Sequence, residues 1–277
     1  MDFLTDIFKY QYLLNALLAA ILSGVVCGIV GSYIVSRRMV FLSGGITHAS
    51  FGGIGIALYL GSNPLLGALI FAAGSSLGVE YASQKGKIRE DSAIGIIWSL
   101  GMAIGALFMS LRPGYTSGDL SAYLFGSILT VTQADVIALL IVSAIIIVGA
   151  IFYLHPIMLV AFDPDFARSK GVATRTISYI MSIVTAVTIV LSIRTMGIVL
   201  LISLLSLPVV IADLMTKSYR SIVILAPIIA ISSNVGGLIF SYYCEIPPGT
   251  AIIFILTFML ITVKCVTLSR NKKLRNR

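Results

Sequence analysis

Charge is scarce in this sequence: Asp, Glu, Lys and Arg make up 11% of its 277 residues, while 58% are hydrophobic. Soluble domains carry roughly a quarter charged residues, so a soluble globular protein is excluded and a polytopic membrane protein is indicated. Cysteine is nearly absent. Cys27, Cys244 and Cys265 show neither CxxC spacing nor even pairing, which excludes a zinc knuckle and a disulfide framework. No GxxxxGK[ST] loop and no HExxH helix occurs, so the chain cannot hydrolyse ATP by itself and is not a zinc protease. The first ten residues hold Asp2, Asp6 and one Lys, unlike the basic start of a cleavable signal, so the first span is expected to be retained.

What charge there is falls in a pattern. The net charge is +8, and all the Lys and Arg except Lys9, Arg112 and Arg194 lie in clusters separated by apolar runs. These clusters are Arg37-Arg38, Lys85 with Lys87 and Arg89, Arg168 with Lys170 and Arg175, Lys217 with Arg220, and residues 264–277. Nucleic acid is not the expected partner, because such spacing fits the positive-inside rule. A span needs about 20 apolar residues. That ruler predicts spans at about 12–35, 43–60, 64–83, 92–111, 133–154, 175–193, 196–214, 220–241 and 249–267. The expected fold is an all-α transmembrane bundle of nine spans, a single domain over 1–277, with the N-terminus outside and the C-terminus cytoplasmic. Every basic cluster then lies inside. Residues 113–132 are irregular: after Pro113-Gly114 and Ser117-Gly118-Asp119 comes an apolar piece, Leu120 to Val131, too short to span, which reads as an interfacial or re-entrant helix.

Small residues are spaced for close helix contact at Gly24 and Gly28, Gly74 and Gly78, and Gly101 and Gly105. The formal GxSxG centred on Ser76 lies within one apolar helix and lacks the strand that a nucleophile elbow requires.

Polar groups inside a span default to function, and the densest patch runs from Ser43 to Gly53. Its glycines allow close backbone approach and a segment able to thin or unwind around Thr47, His48 and Ser50. Neutral imidazole is the commonest ligand for transition metals. His48 therefore reads either as a ligand or lining group on a metal path, or as a histidine hydrogen-bonded to a neighbouring helix. Glu245, beside Cys244, sits at the outer mouth and could meet a cation. Glu80 and Asp213 are expected to pair with Lys85 and Lys217 at the inner interface. His155, followed by Pro156, reads as a helix end.

Outside the spans, residues 163–171 form a polar island. Asp163 is a helix N-cap, Pro164 suits the first helical position and Gly171 suits a left-handed C′ position. The prediction is a helix of about two turns, with Phe166, Ala167 and Lys170 on one face. It is either a capped surface loop or the contact through which a partner supplies energy.

These residues resemble the integral-membrane permeases of zinc, manganese and iron ABC importers. The likeness is carried by Arg37-Arg38-Met39 through His48-Ala49, by Glu90-Asp91-Ser92-Ala93-Ile94-Gly95-Ile96, by residues 162–172, and by Gly197-Ile198-Val199 through Leu207-Pro208. Asp165, Ala167 and Gly171 echo the loop by which ABC importer permeases meet their ATPase. Glu245-Ile246-Pro247-Pro248-Gly249 is similar to an Asp-x-Pro-x-Gly sequence of the family. The family usually has Asp four residues before the span-two histidine, where this chain has Gly44. The resemblance implies a permease in the cytoplasmic membrane that moves a divalent transition metal, zinc, manganese or iron, and holds no permanent cofactor. It implies three protein partners: a cytoplasmic ABC ATPase, an extracytoplasmic metal-binding protein and a second copy of the chain. The metal path would include His48, Glu245, Thr47 and Ser50, and ATPase coupling would use Asp165, Phe166, Ala167 and Gly171. An ion-coupled secondary transporter, working without an ATPase, is the alternative. It usually keeps several paired ionisable residues near the bilayer midplane, where only His48 approaches that position.

The charge pattern makes a testable statement about sidedness. In a Cys-free background, Lys170→Cys should be protected from an impermeant thiol reagent in intact cells and labelled in inverted membranes. Labelling from outside would reverse the orientation.

Overall fold

The computed structural model describes residues 3–84, 88–112 and 131–275. The expected interfacial helix at 113–132 and the partner Lys85 fall almost wholly outside them. All regular structure among the described residues is helical. The helices are α1 (Phe3–Lys9), α2 (Gln11–Ser36), α3 (Val40–Tyr59), α4 (Pro64–Gln84), α5 (Glu90–Ser110), α6 (Gln133–Phe162), α7 (Pro164–Ser169), α8 (Thr174–Met196), α9 (Ile198–Met215), α10 (Tyr219–Cys244) and α11 (Pro248–Arg275). Nine of these are long and apolar enough to cross a bilayer, and they coincide with the nine predicted spans. This is a multi-pass membrane protein.

One boundary differs. His155 does not end a helix, because α6 continues through Pro156 to Phe162. The apolar run Pro156–Phe162 offers no polar group to stop it, and an internal proline removes one helix hydrogen bond without having to end the helix. The break comes at Asp163, which is extended (φ −148°, ψ 90°), as a residue before proline prefers. At 30 residues, α6 is about 45 Å long, well beyond a hydrocarbon core of about 30 Å.

Long-range contacts fix which helix ends lie together. Near the start of α2, Asn15 donates to the Val131 carbonyl just before α6 at 3.1 Å. Arg194, near the end of α8, pairs with Asp135 in the first turn of α6 at 3.1 Å. Tyr242, at the end of α10, hydrogen-bonds Asp6 of α1. At the opposite end, which carries α7, the Phe162 ring meets Tyr219 edge-on at 5.6 Å.

The innermost span is α3, 78% buried over its apolar window. Its neighbours approach without side chains between. A Cβ added to Gly53 would collide with the Gly67 carbonyl of α4, and one on Gly101 of α5 would collide with the Ala49 Cα. The Gly24–Gly28 pair likewise meets Ile231 and Pro227 of α10. The third sequence pair is different. Gly74 has open space around it and Gly78 meets only one side-chain atom, so these two do not mediate close packing within the chain. Nor does α3 thin or unwind around His48: it is helical throughout. Its glycines serve contact rather than flexibility. Ser76 donates to the Ser182 carbonyl across α4 and α8 at 2.8 Å, a structural bond rather than a nucleophile's.

The α7 end is tied by a buried charge cluster. Arg37, at the foot of α2, lies 3.3 Å from Glu80 of α4 and 3.3 Å from Glu90 of α5. It also donates to the Tyr33 hydroxyl at 3.0 Å and to Ser178 of α8 at 3.4 Å. Ser83 donates to Glu90, Gln84 and Ser182 donate to Glu80, and the Glu80 side chain is only 2% exposed. Glu80 is thus anchored by Arg37; the pairing with Lys85 that sequence proximity suggested lies outside the described residues. Burial opposes the charge on Arg37, but Tyr33, Glu80 and Glu90 outweigh it and raise its pKa. Asp213 and Lys217 do pair, at 3.9 Å and in the open.

Two stability measurements follow, both as thermal unfolding of the detergent-solubilised protein. Gly101→Ala should destabilise by about 1–3 kcal/mol through overpacking, while Gly74→Ala should be neutral or stabilising. Arg37→Met should cost about 3–5 kcal/mol because it leaves Glu80 buried and unpaired. Adding Glu80→Met to it should recover much of the loss; a double variant less stable than the single one would refute the pairing.

Candidate functional site

The α3 glycines bring His48 against the neighbouring span α5. Its ring stacks on Trp98, with centroids 4.4 Å apart and planes 9° from parallel. The Nδ1 of His48 is buried and has no hydrogen-bond partner, so that nitrogen is not tied to a neighbouring helix. A ring nitrogen left unpaired in an apolar surrounding is costly, and a passing cation is one group that could use it. Gly44, one turn earlier on the same face, leaves room for a Cβ, which would touch Trp98 and Ile202 at the ordinary distances of 3.5 and 3.6 Å. The indole therefore covers the flank from which a carboxylate at position 44 would reach His48. Trp98 escaped the sequence reading. It is the chain's only tryptophan, and that singularity inside a span was the available signal.

Thr47 and Ser50 flank His48 but are otherwise engaged. Both residues are 1% exposed, and their hydroxyls donate within α3 to the carbonyls of Ser43 and Thr47, both at 2.6 Å. They satisfy themselves on the helix backbone, as such residues commonly do in helices. Glu245 is not brought to His48. It caps α10 at the α1 end, in a left-handed conformation (φ 55°, ψ 33°) that a non-glycine residue rarely adopts. His48 lies eleven residues below the same end of α3, a rise of about 17 Å. Among the described residues no trio of His, Cys, Asp and Glu could hold a metal ion. The arrangement is a single imidazole partway along α3, with the acid at the α1 end of α10 rather than beside it. The α1 end also carries the Asp135–Arg194 pair. Asp135 also forms a reciprocal cap with Thr132 that fixes the start of α6.

At the other end, α7 forms as its capping residues dictate. The Asp163 carboxylate accepts from the Phe166 amide at 2.9 Å, Pro164 occupies the first turn, and Gly171 takes φ 78° with nothing near its missing Cβ. The exposed face carries Asp165 paired with Arg168 at 3.4 Å, and Phe166, 48% exposed, with the Lys170 ammonium 5.5 Å from its ring. Ala167 is on the other side. It is fully buried, and its carbonyl accepts from the Val172 amide at 3.0 Å. The i, i+1, i+4 grouping read from sequence therefore divides: Phe166 and Lys170 face outward, while Ala167 is the inward anchor that seats the helix.

Comparison with known proteins fits this geometry. The model of the ABC 3 transport family matches residues 9–267. The manganese transport system membrane protein MntC of Halalkalibacterium halodurans is 32% identical over 253 residues, covering 91% of this chain and 86% of that protein. MntC of Listeria monocytogenes is 30% identical, covering 94% and 92%. Among solved structures, PsaBC from Streptococcus pneumoniae in complex with Fab superposes with a TM-score of 0.83 at 26% identity over 94% of both chains. The chain, matched over nearly all its length, is a member of the ABC 3 transport family.

Proposed function

We propose that the chain is the permease subunit of an ATP-driven importer in the cytoplasmic membrane, carrying a divalent transition metal inward. Manganese is the leading cargo because it is the metal in the relatives' names; a histidine on the path would also suit zinc or iron. The reading rests on one pairing of features: an uncommitted imidazole inside the bundle, and a rigid capped helix outside it. A chain without a phosphate-binding loop moves cargo uphill only if hydrolysis elsewhere is coupled to it mechanically. In this scheme an ABC ATPase grips α7 through Phe166, with Asp165 and Lys170 beside it, while Gly171 sets the exit angle of the chain. An extracytoplasmic metal-binding protein delivers cargo at the α1 end, where Glu245 meets it first. His48 receives it next, and a second copy of the chain completes the assembly. An ion-coupled mechanism is less well supported, since the buried pair Arg37–Glu80 lies at helix ends and is saturated by hydrogen bonds.

ATP-dependent manganese uptake into proteoliposomes containing the cognate ATPase tests both parts. At limiting metal, His48→Ala should lower uptake at least as much as loss of an outer-shell metal partner, about 10–100-fold, with assembly intact. Phe166→Ala and Gly171→Val should lower uptake while ATP hydrolysis persists. Ala167 is unsuitable for this purpose, since a charged side chain there would be buried. Wild-type transport by all three variants would sink the proposal.

A further inference from the structure

A cleft of about 640 Å³ opens on the side of the bundle between α2, α6 and α10, remote from His48. Its walls are largely apolar, Ile29, Ile151, Val223 and Ile224 among them. Ile151 and Ile224 are 69% and 55% exposed, so the cleft opens on the outside of the chain rather than into its interior. Its α7 end is different: His155 and Arg220 line it there, and no acidic residue does. Neither belongs to any ion pair among the described residues. The level of these two groups is set by the contact of Phe162 with Tyr219 and by the length of α6. The last turns of a helix of about 45 Å emerge from a core of about 30 Å, which puts His155 and Arg220 at headgroup height.

We infer that this cleft is a binding site for one anionic phospholipid, its phosphate held by Arg220 and His155 and an acyl chain laid along Ile151, Val223 and Ile224. The volume falls within the roughly 300–1,000 Å³ of small-molecule sites. A forked guanidinium suits a phosphate diester better than any neutral donor. Charge complementarity selects this occupant over a second copy of the chain. The cleft lining holds Arg220 and His155 and no acid, so the same cleft of a second copy would bring another guanidinium and no counter-charge. An anionic lipid wedged between α6 and α10 would brace the two helices on which α7 and its flank depend. Nothing in this inference requires that the transported cargo be a metal.

Native mass spectrometry of the full-length chain, exchanged into phosphatidylglycerol or phosphatidylcholine of identical acyl chains, tests it. Phosphatidylglycerol should be retained selectively. Arg220→Gln with His155→Gln should weaken that retention at least about fivefold, the worth of one basic residue at an anionic surface, without changing elution on size exclusion. Equal retention of both lipids, or undiminished retention by the double variant, would overturn the assignment. So would a disulfide between copies of Ile151→Cys in a Cys-free background, since the second copy would then fill the cleft.

Discussion

Everything in this bundle depends on how closely backbone can approach backbone around α3. In lipid, apolar side chains gain nothing by leaving the solvent, so helices are held by dispersion contact and the few polar bonds between them. A helix bearing bulky side chains on every side would stand off its neighbours. The glycines of α3, α4 and α5 remove that barrier where Gly53 meets Gly67 and Gly101 meets Ala49. His48 and Trp98 are brought into stacking contact as a result. The candidate site is thus a product of packing: the same absence of side chains that seats α3 also holds its one imidazole against the indole.

Polar energy is concentrated at the two ends. At one, Asp135 joins the start of α6 to Arg194 of α8; at the other, Arg37 gathers α2, α4, α5 and α8. Between them the buried hydroxyls of α3 bond their own backbone. Such a division is expected where an unpaired charge in the membrane interior costs several kcal/mol. It leaves the Nδ1 of His48 conspicuous among the few buried atoms without a partner.

The sequence was legible where the physics is local. Spans could be read from hydropathy because lipid admits only segments whose backbone is satisfied internally. The caps of α7 could be read because an N-cap and a left-handed C′ glycine act within a few residues. Reading failed where partners are distant in the chain. Glu80 finds Arg37, 43 residues away, and nothing in a window around Glu80 indicates it. Ala167 turns inward because of what α6 and α8 place beneath it, a tertiary fact invisible to helical spacing. The Trp98 stack depends on the register between two spans, which hydropathy does not encode. The proline at 156 misled for the opposite reason: a local rule for helix ends yields where the apolar run beyond it offers no stop.

The uninterrupted length of α6 has a mechanical meaning. One rod of about 45 Å carries Asp135 at one tip and runs directly into α7 at the other, and only 17% of its apolar window is buried inside the chain. With so little of its flank held by the rest of the chain, a tilt of this helix would disturb few contacts. A tilt of about 10° would displace one tip by about 8 Å relative to the other over that length, with no hydrogen bond of the helix broken. A push on α7 would then reach the far end of α6 as a rotation of the whole helix, carried by leverage rather than relayed residue by residue.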